Sequence, residues 1–143
     1  MRRQHFPAHP EVPISRAVRA GDFIHTSGFG PWTFDPRAVS FAADGTILDD
    51  GSGHHGVPFD EQVHLTFAAL RTALAVAGAE FADVIDCQVW LSDPRDFVRF
   101  NEIYVTYFKE NAPARTVFPS GFMFCCLIEM KMIAYKPLVL GSS

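Results

Sequence analysis

No apolar run in the 143-residue chain approaches the roughly 18 residues needed to cross a bilayer as a helix, so a helical membrane protein is excluded. Cysteine is scarce. Cys87, Cys125 and Cys126 make an odd set with two members adjacent, which does not resemble a secreted disulfide framework; thiols packed as small apolar side chains are expected instead. The opening Met-Arg-Arg-Gln-His-Phe-Pro lacks the apolar core of a secretory leader, so the expected location is the cytoplasm. Basic residues are in deficit: 12 Lys and Arg against 16 Asp and Glu give a formal charge of -4. That balance argues against a general phosphate-backbone binder, and neither a nucleic acid nor a membrane is expected as a partner. There is no internal repeat and no low-complexity segment.

What the chain does have is apolar bulk. Hydrophobic residues form 48% of it and charged residues 20%, the composition of one globular domain spanning 1–143. Fourteen phenylalanines are many for this length, and imply an aromatic core or aromatic surface buried between subunits.

Residues 1–13 hold three prolines and read as extended. Ile14–Arg19 and Phe23–Gly28 form a hairpin about Ala20-Gly21-Asp22. His25 falls in the second strand and reads as structural. A second hairpin is expected where Val39–Ala43 and Thr46–Leu48 flank Asp44-Gly45. Asp49–Gly56 reads as an exposed loop; its adjacent His54 and His55 lack ligand spacing, and no metal is expected there. Phe59, Val63, Phe67, Leu70 and Leu74 recur at helical intervals, with Asp60 and Glu61 at the helix start and Gly78 at its stop. His64 lies on this helix without an obvious partner.

Val84–Leu91 reads as a strand, and Ser92-Asp93-Pro94 as the opening of a second helix with the stripe Phe97, Phe100, Tyr104, Tyr107 and Phe108, ended by Pro113. Two final strands follow, from Ala114 and to Tyr135, joined at Pro119-Ser120-Gly121 in what could be a tight hairpin. The expected fold class is α+β: a mixed sheet with two helices on one face. Along the last strand Cys126, Ile128, Met130, Met132 and Ala134 alternate with Leu127, Glu129, Lys131, Ile133 and Tyr135. The face away from the helices therefore still carries apolar residues, and a homo-oligomer with sheets packed face to face is expected.

Into the last two strands the sequence sets one guanidinium, Arg115, and one carboxylate, Glu129. Buried charges need partners. Either the two satisfy each other or nearby groups such as Lys131, or Arg115 grips a small-molecule carboxylate through its planar fork while Glu129 handles a proton or a water.

Pro113-Ala114-Arg115 followed by Leu127-Ile128-Glu129-Met130 resembles the signature of the reactive-intermediate deaminase family, also called Rid or YjgF and formerly L-PSP endoribonuclease. Ala20-Gly21-Asp22-Phe23 through Ser27-Gly28, Ala77-Gly78-Ala79, Asp83-Val84 through Asp93, and Asp96-Phe97 through Tyr104 extend the resemblance over nearly the whole chain. It implies a chorismate-mutase-like domain, a barrel-like homotrimer with clefts between subunits, and hydrolysis of enamines and imines such as 2-aminoacrylate to 2-keto acids and ammonia, without metal or organic cofactor. It implies further that Arg115 binds the substrate carboxylate, that Glu129 lies near the attacking water, that Gly28 and Val117 line the cleft, and that Asn101 is a neighbour. The chain departs from the family pattern at Ile14, where many members have tyrosine, at Val117, where many have cysteine, and in a longer segment 32–57. Losing the phenol makes the expected pocket more apolar. Two rival functions remain open: a trimer that binds a small carboxylate without turnover, and ribonuclease action, which the acidic balance disfavours.

Overall fold

The computed structural model describes residues 3–9, 12–31, 40–49, 57–123 and 125–139. Strands β1 (Arg3–His9), β2 (Val12–Ala20) and β3 (Phe23–Thr26) are followed by β4 (Ser40–Phe41) and β5 (Ile47–Asp49), helix α1 (Phe59–Val76), β6 (Val84–Leu91), helix α2 (Phe97–Tyr107), β7 (Ala114–Pro119) and β8 (Ile128–Tyr135). Six strands make one mixed sheet in the order β1-β2-β3-β8-β6-β7, and β4-β5 make a separate two-stranded hairpin. This is the α+β architecture expected, and it departs from the sequence reading in three places.

The first is the amino-terminal segment, which forms a full strand, β1, antiparallel to β2. Its proline is tolerated because β1 is a sheet edge and the ladder shifts register around Pro7. The second concerns α2, which stops at Tyr107, well before Pro113; the chain then turns through Asn111 at a φ of 53°. The third is that β7 and β8 are not a hairpin. β6 lies between them, parallel to β7 and antiparallel to β8.

Alternation along β8 is regular: Ile128, Met130, Met132 and Ala134 are buried, while the intervening side chains are half-buried or exposed. The buried set packs with Cys87, Val89 and Leu91 of β6 and with Val63, Phe67, Leu70 and Leu74 of α1, the stripe expected from their spacing. Phe67 is the hub of the aromatic part of this core. It stacks on Tyr107 at 3.8 Å, meets Phe81 edge-on at 5.7 Å, and lies 6.2 Å from both Tyr104 and Phe108. Tyr107 in turn holds His64, whose Nδ1 is 2.6 Å from the phenol oxygen, so this histidine does have a partner.

Two buried polar side chains fasten the layers. Gln62 donates to the Val57 carbonyl and accepts from the Leu127 amide, tying the start of α1 to the entry of β8. Arg19 donates to the carbonyls of Gly21, Lys136 and Ala77, and so joins the first hairpin, the end of β8 and the carbonyl end of α1. Just beyond, Gly78 takes a φ of 89°, the left-handed conformation that ends a helix without a Cβ penalty. No helix among the described residues is long and apolar enough to cross a membrane.

Candidate active site

Arg115 lies on β7, which among the described strands pairs only with β6. Its partner in the ladder is Cys87, a core residue, so Arg115 projects toward the helix layer. There Nη1 donates to Asn101 Oδ1 at 2.8 Å. The guanidinium lies 4.7 Å from the Tyr104 ring centre, 5.7 Å from Phe100 and 5.8 Å from Phe97. One face of α2 supplies all four contacts, because positions 97, 100, 101 and 104 recur at helical intervals. The fork is half-buried and has no acidic partner among the described residues. A cation so placed, with donors left over, can receive an anion.

The ground beneath it is dry. Burial pushes the Cys87 thiol up to about 12, against the opposing pull of the Arg115 charge. Burial likewise raises the Tyr104 phenol, whose hydroxyl is the one buried side-chain polar atom without a hydrogen-bond partner among the described residues.

Val117 follows two residues on, on the same side of β7. It lines a shallow groove of about 230 Å³ together with Leu91, Pro94, Phe97, Phe118 and Pro119.

Glu129 lies elsewhere. It is paired with Trp90, between the inward-facing Ile128 and Met130, so it projects from the face that the helices leave uncovered. The backbone bridge between Phe29 and Met130 brings Gly28 alongside, and a Cβ at position 28 would stand 3.3 Å from Glu129 Oε1. The glycine thus leaves room for the carboxylate. Burial raises the Glu129 pKa, and no hydrogen bond reaches its side chain among the described residues. Ser27 Oγ donates to the Ser15 carbonyl, tying the chain next to Ile14 to the chain next to Gly28. Ile14 is 50% exposed.

The residues singled out from the sequence therefore fall into two clusters within one chain. Arg115, Asn101 and Val117 share the helix side of one sheet edge, whereas Glu129 and Gly28 share the open side, with Ile14 nearby. Within one chain Arg115 and Glu129 do not neutralise each other: they project from opposite faces, with β6 between their strands. Sequence reasoning took Phe97, Phe100 and Tyr104 as a packing stripe and missed that they support the guanidinium. His54 and His55 fall outside the described residues.

The open face carries Phe23, Phe118 and Tyr135, exposed by 43%, 41% and 45%, with Trp90 stacked on Phe118 at 6.1 Å.

Comparison with known proteins agrees with this architecture. Residues 6–136 match the family model described as Endoribonuclease L-PSP. A RutC family protein of Pyrococcus abyssi is 35% identical over 128 residues, covering 89% of each chain. The protein DfrA of Myxococcus xanthus is 44% identical over 125 residues, covering 85% of this chain and 84% of that one. In fold, the chain superposes on a YjgF family member from Neisseria meningitidis with a TM-score of 0.74 at 23% identity, over 97% and 98% of the two chains. It superposes on yeast Mmf1 with a TM-score of 0.68 at 22% identity, over 92% of each. The chain belongs to the L-PSP endoribonuclease family, the Rid/YjgF family of reactive-intermediate deaminases.

Proposed function

We propose that the protein hydrolyses 2-imino acids, and the enamines that tautomerise to them, to 2-keto acids and ammonia. The observation that carries the reading is Arg115: a guanidinium steadied by three rings and one amide, with no acidic partner among the described residues, at a sheet edge. It would hold the substrate carboxylate in a two-bond fork. A protonated imine carbon is already electrophilic, so the remaining need is a placed water. Water oxygen bonds to that carbon while the C=N electron pair moves to nitrogen, and one water proton passes to the Glu129 carboxylate, which later returns it to the departing ammonia. A proton then passes from the added hydroxyl to the amine, the C–N bond breaks, ammonia leaves, and the carbonyl forms.

Glu129 suits the proton traffic. Its raised pKa and half-buried setting favour a carboxyl that both accepts and returns a proton. Because one chain holds the two groups on opposite faces, both reach one substrate only where the β7 edge of one copy meets the open face of the next. A contact between two different surfaces closes into a ring where its rotation divides a full turn. A homotrimer with sites between subunits accommodates this arrangement and covers the apolar open face. Positioning of carboxylate and water supplies the acceleration, and no metal or organic cofactor takes part in this scheme.

The test uses imines generated in place by an amino-acid oxidase, with keto-acid release followed in competition with a trapping amine. Wild-type protein should raise the rate above buffer, and Arg115→Ala should abolish the gain. A wild-type rate equal to buffer overturns the proposal. Binding of a keto acid without any rate gain would favour a carboxylate-binding trimer instead. That reading draws on the aliphatic side chains of Ile14 and Val117, which offer no hydroxyl or thiol to orient a substrate. RNA cleavage, named in the description of the family model, finds little support in a chain of net charge -4.

A further inference from the structure

We infer that the groove beside Arg115 selects 2-imino acids with a large apolar side chain, branched aliphatic or aromatic, over those with a methyl or methylene group. The inference rests on the reading of Arg115 as the carboxylate anchor. The anchor and the groove are continuous. Phe97 flanks the guanidinium at 5.8 Å and also lines the groove, and Val117 follows Arg115 on the same side of β7, about 7 Å along the strand. In a 2-imino acid the carbon that reacts also joins the carboxylate to the side chain. With the carboxylate on Arg115, the side chain can extend along β7 over Val117.

The lining decides what fits. Leu91, Pro94, Phe97, Val117, Phe118 and Pro119 are all apolar, and about 230 Å³ is far more than a methyl group fills. A small substrate would leave the groove wet, so it would gain nothing from it. A hydroxylated or charged side chain would lose water without finding a hydrogen-bond partner in these side chains. A branched or benzyl group would displace water from apolar walls, two of which are prolines of restricted backbone freedom. One additional methylene in an enclosed apolar pocket is worth about tenfold or more in discrimination. This groove is shallow, so about tenfold is assigned to the whole side chain.

The experiment measures binding of three stable 2-keto acids to the assembled full-length protein by calorimetry: pyruvate, 4-methyl-2-oxopentanoate and phenylpyruvate. The two large ligands should bind at least about tenfold more tightly than pyruvate. Arg115→Ala should weaken all three, and Val117→Asn should bring the ratio toward one. Pyruvate binding as tightly as the large acids overturns the selectivity, as does a preference that Val117→Asn leaves intact. Selective binding without turnover of any of the three corresponding imines would instead defeat the deaminase reading and leave the selectivity standing. Turnover with equal affinities would do the reverse, and failure of all three acids to bind would overturn the selectivity, while the deaminase reading stands or falls on the rate.

Discussion

Replacing Arg115 by lysine separates the fork from the charge. Arginine has five N–H donors, and one nitrogen, Nη1, already serves Asn101, so the outward side of the guanidinium remains to meet both oxygens of a carboxylate. Lysine keeps the positive charge but meets a carboxylate as a point, and it loses the guanidinium's contacts with the Tyr104, Phe100 and Phe97 rings. The net loss is one charge-assisted hydrogen bond together with the pre-organisation of the group. Such a bond contributes about 1.5–3 kcal/mol, which converts to about ten- to a hundredfold in affinity. The fold should barely register the change, because Arg115 has no acidic partner to strand. The midpoint of thermal unfolding should move by less than about 4 °C, the equivalent of roughly 1 kcal/mol for a chain of this size. Keto-acid binding by calorimetry and imine hydrolysis under limiting substrate should fall together, with the melting curve as the control for folding. Affinity within twofold of wild type would refute the reasoning, since it would mean that position 115 contributes only charge.

Other substitutions probe the same site and its support. Asn101→Asp places a carboxylate where an amide oxygen receives Arg115, so it should raise KM by about tenfold with a smaller effect on kcat, as expected for an internal competitor of the substrate. Glu129 has a pKa raised by burial, so its neutral form stabilises the fold at low pH and that contribution is lost as pH rises through the folded value. Glu129→Gln should therefore raise the melting midpoint at pH 7–8, the gain should vanish near pH 4, and hydrolysis should fall about a hundredfold. Phe67→Ala removes a fully buried ring stacked on Tyr107, and should cost about 3–5 kcal/mol, lowering the midpoint by roughly 10 °C or more. Cys87, with its thiol pushed up to about 12, should resist alkylation at pH 8 in the native protein and react once the protein is unfolded.

Several of these groups could be found from sequence because their signal is local. The interval pattern from Phe59 to Leu74 needs nothing beyond helical geometry, and α1 follows it. Asp44-Gly45 makes its turn from its own residues, with Gly45 at a φ of 90°. Alternation along β8 put Met130 and Met132 on one face and Glu129 on the other, and the strand keeps that division. What could not be read depends on neighbours distant in sequence. β7 and β8 lie close in the chain, and adjacency suggested a hairpin. Only β6, inserted between them, sets the facing of Arg115 through Cys87 and of Glu129 through Trp90. The amino-terminal strand was obscured by Pro7, since proline counts against a strand in general but not against one at a sheet edge. The support of Arg115 by Tyr104 was obscured for another reason. An aromatic stripe predicts burial equally well whether it packs on aliphatic groups or beneath a cation.

The separation of Arg115 and Glu129 across the sheet has a genetic corollary. If each working centre borrows its cation from one chain and its acid from the next, a chain lacking only the cation and a chain lacking only the acid are each inert alone, yet competent when they assemble together. Random mixing in equal amounts would leave about a quarter of the junctions with both groups intact, so two null alleles expressed in one cell would complement each other.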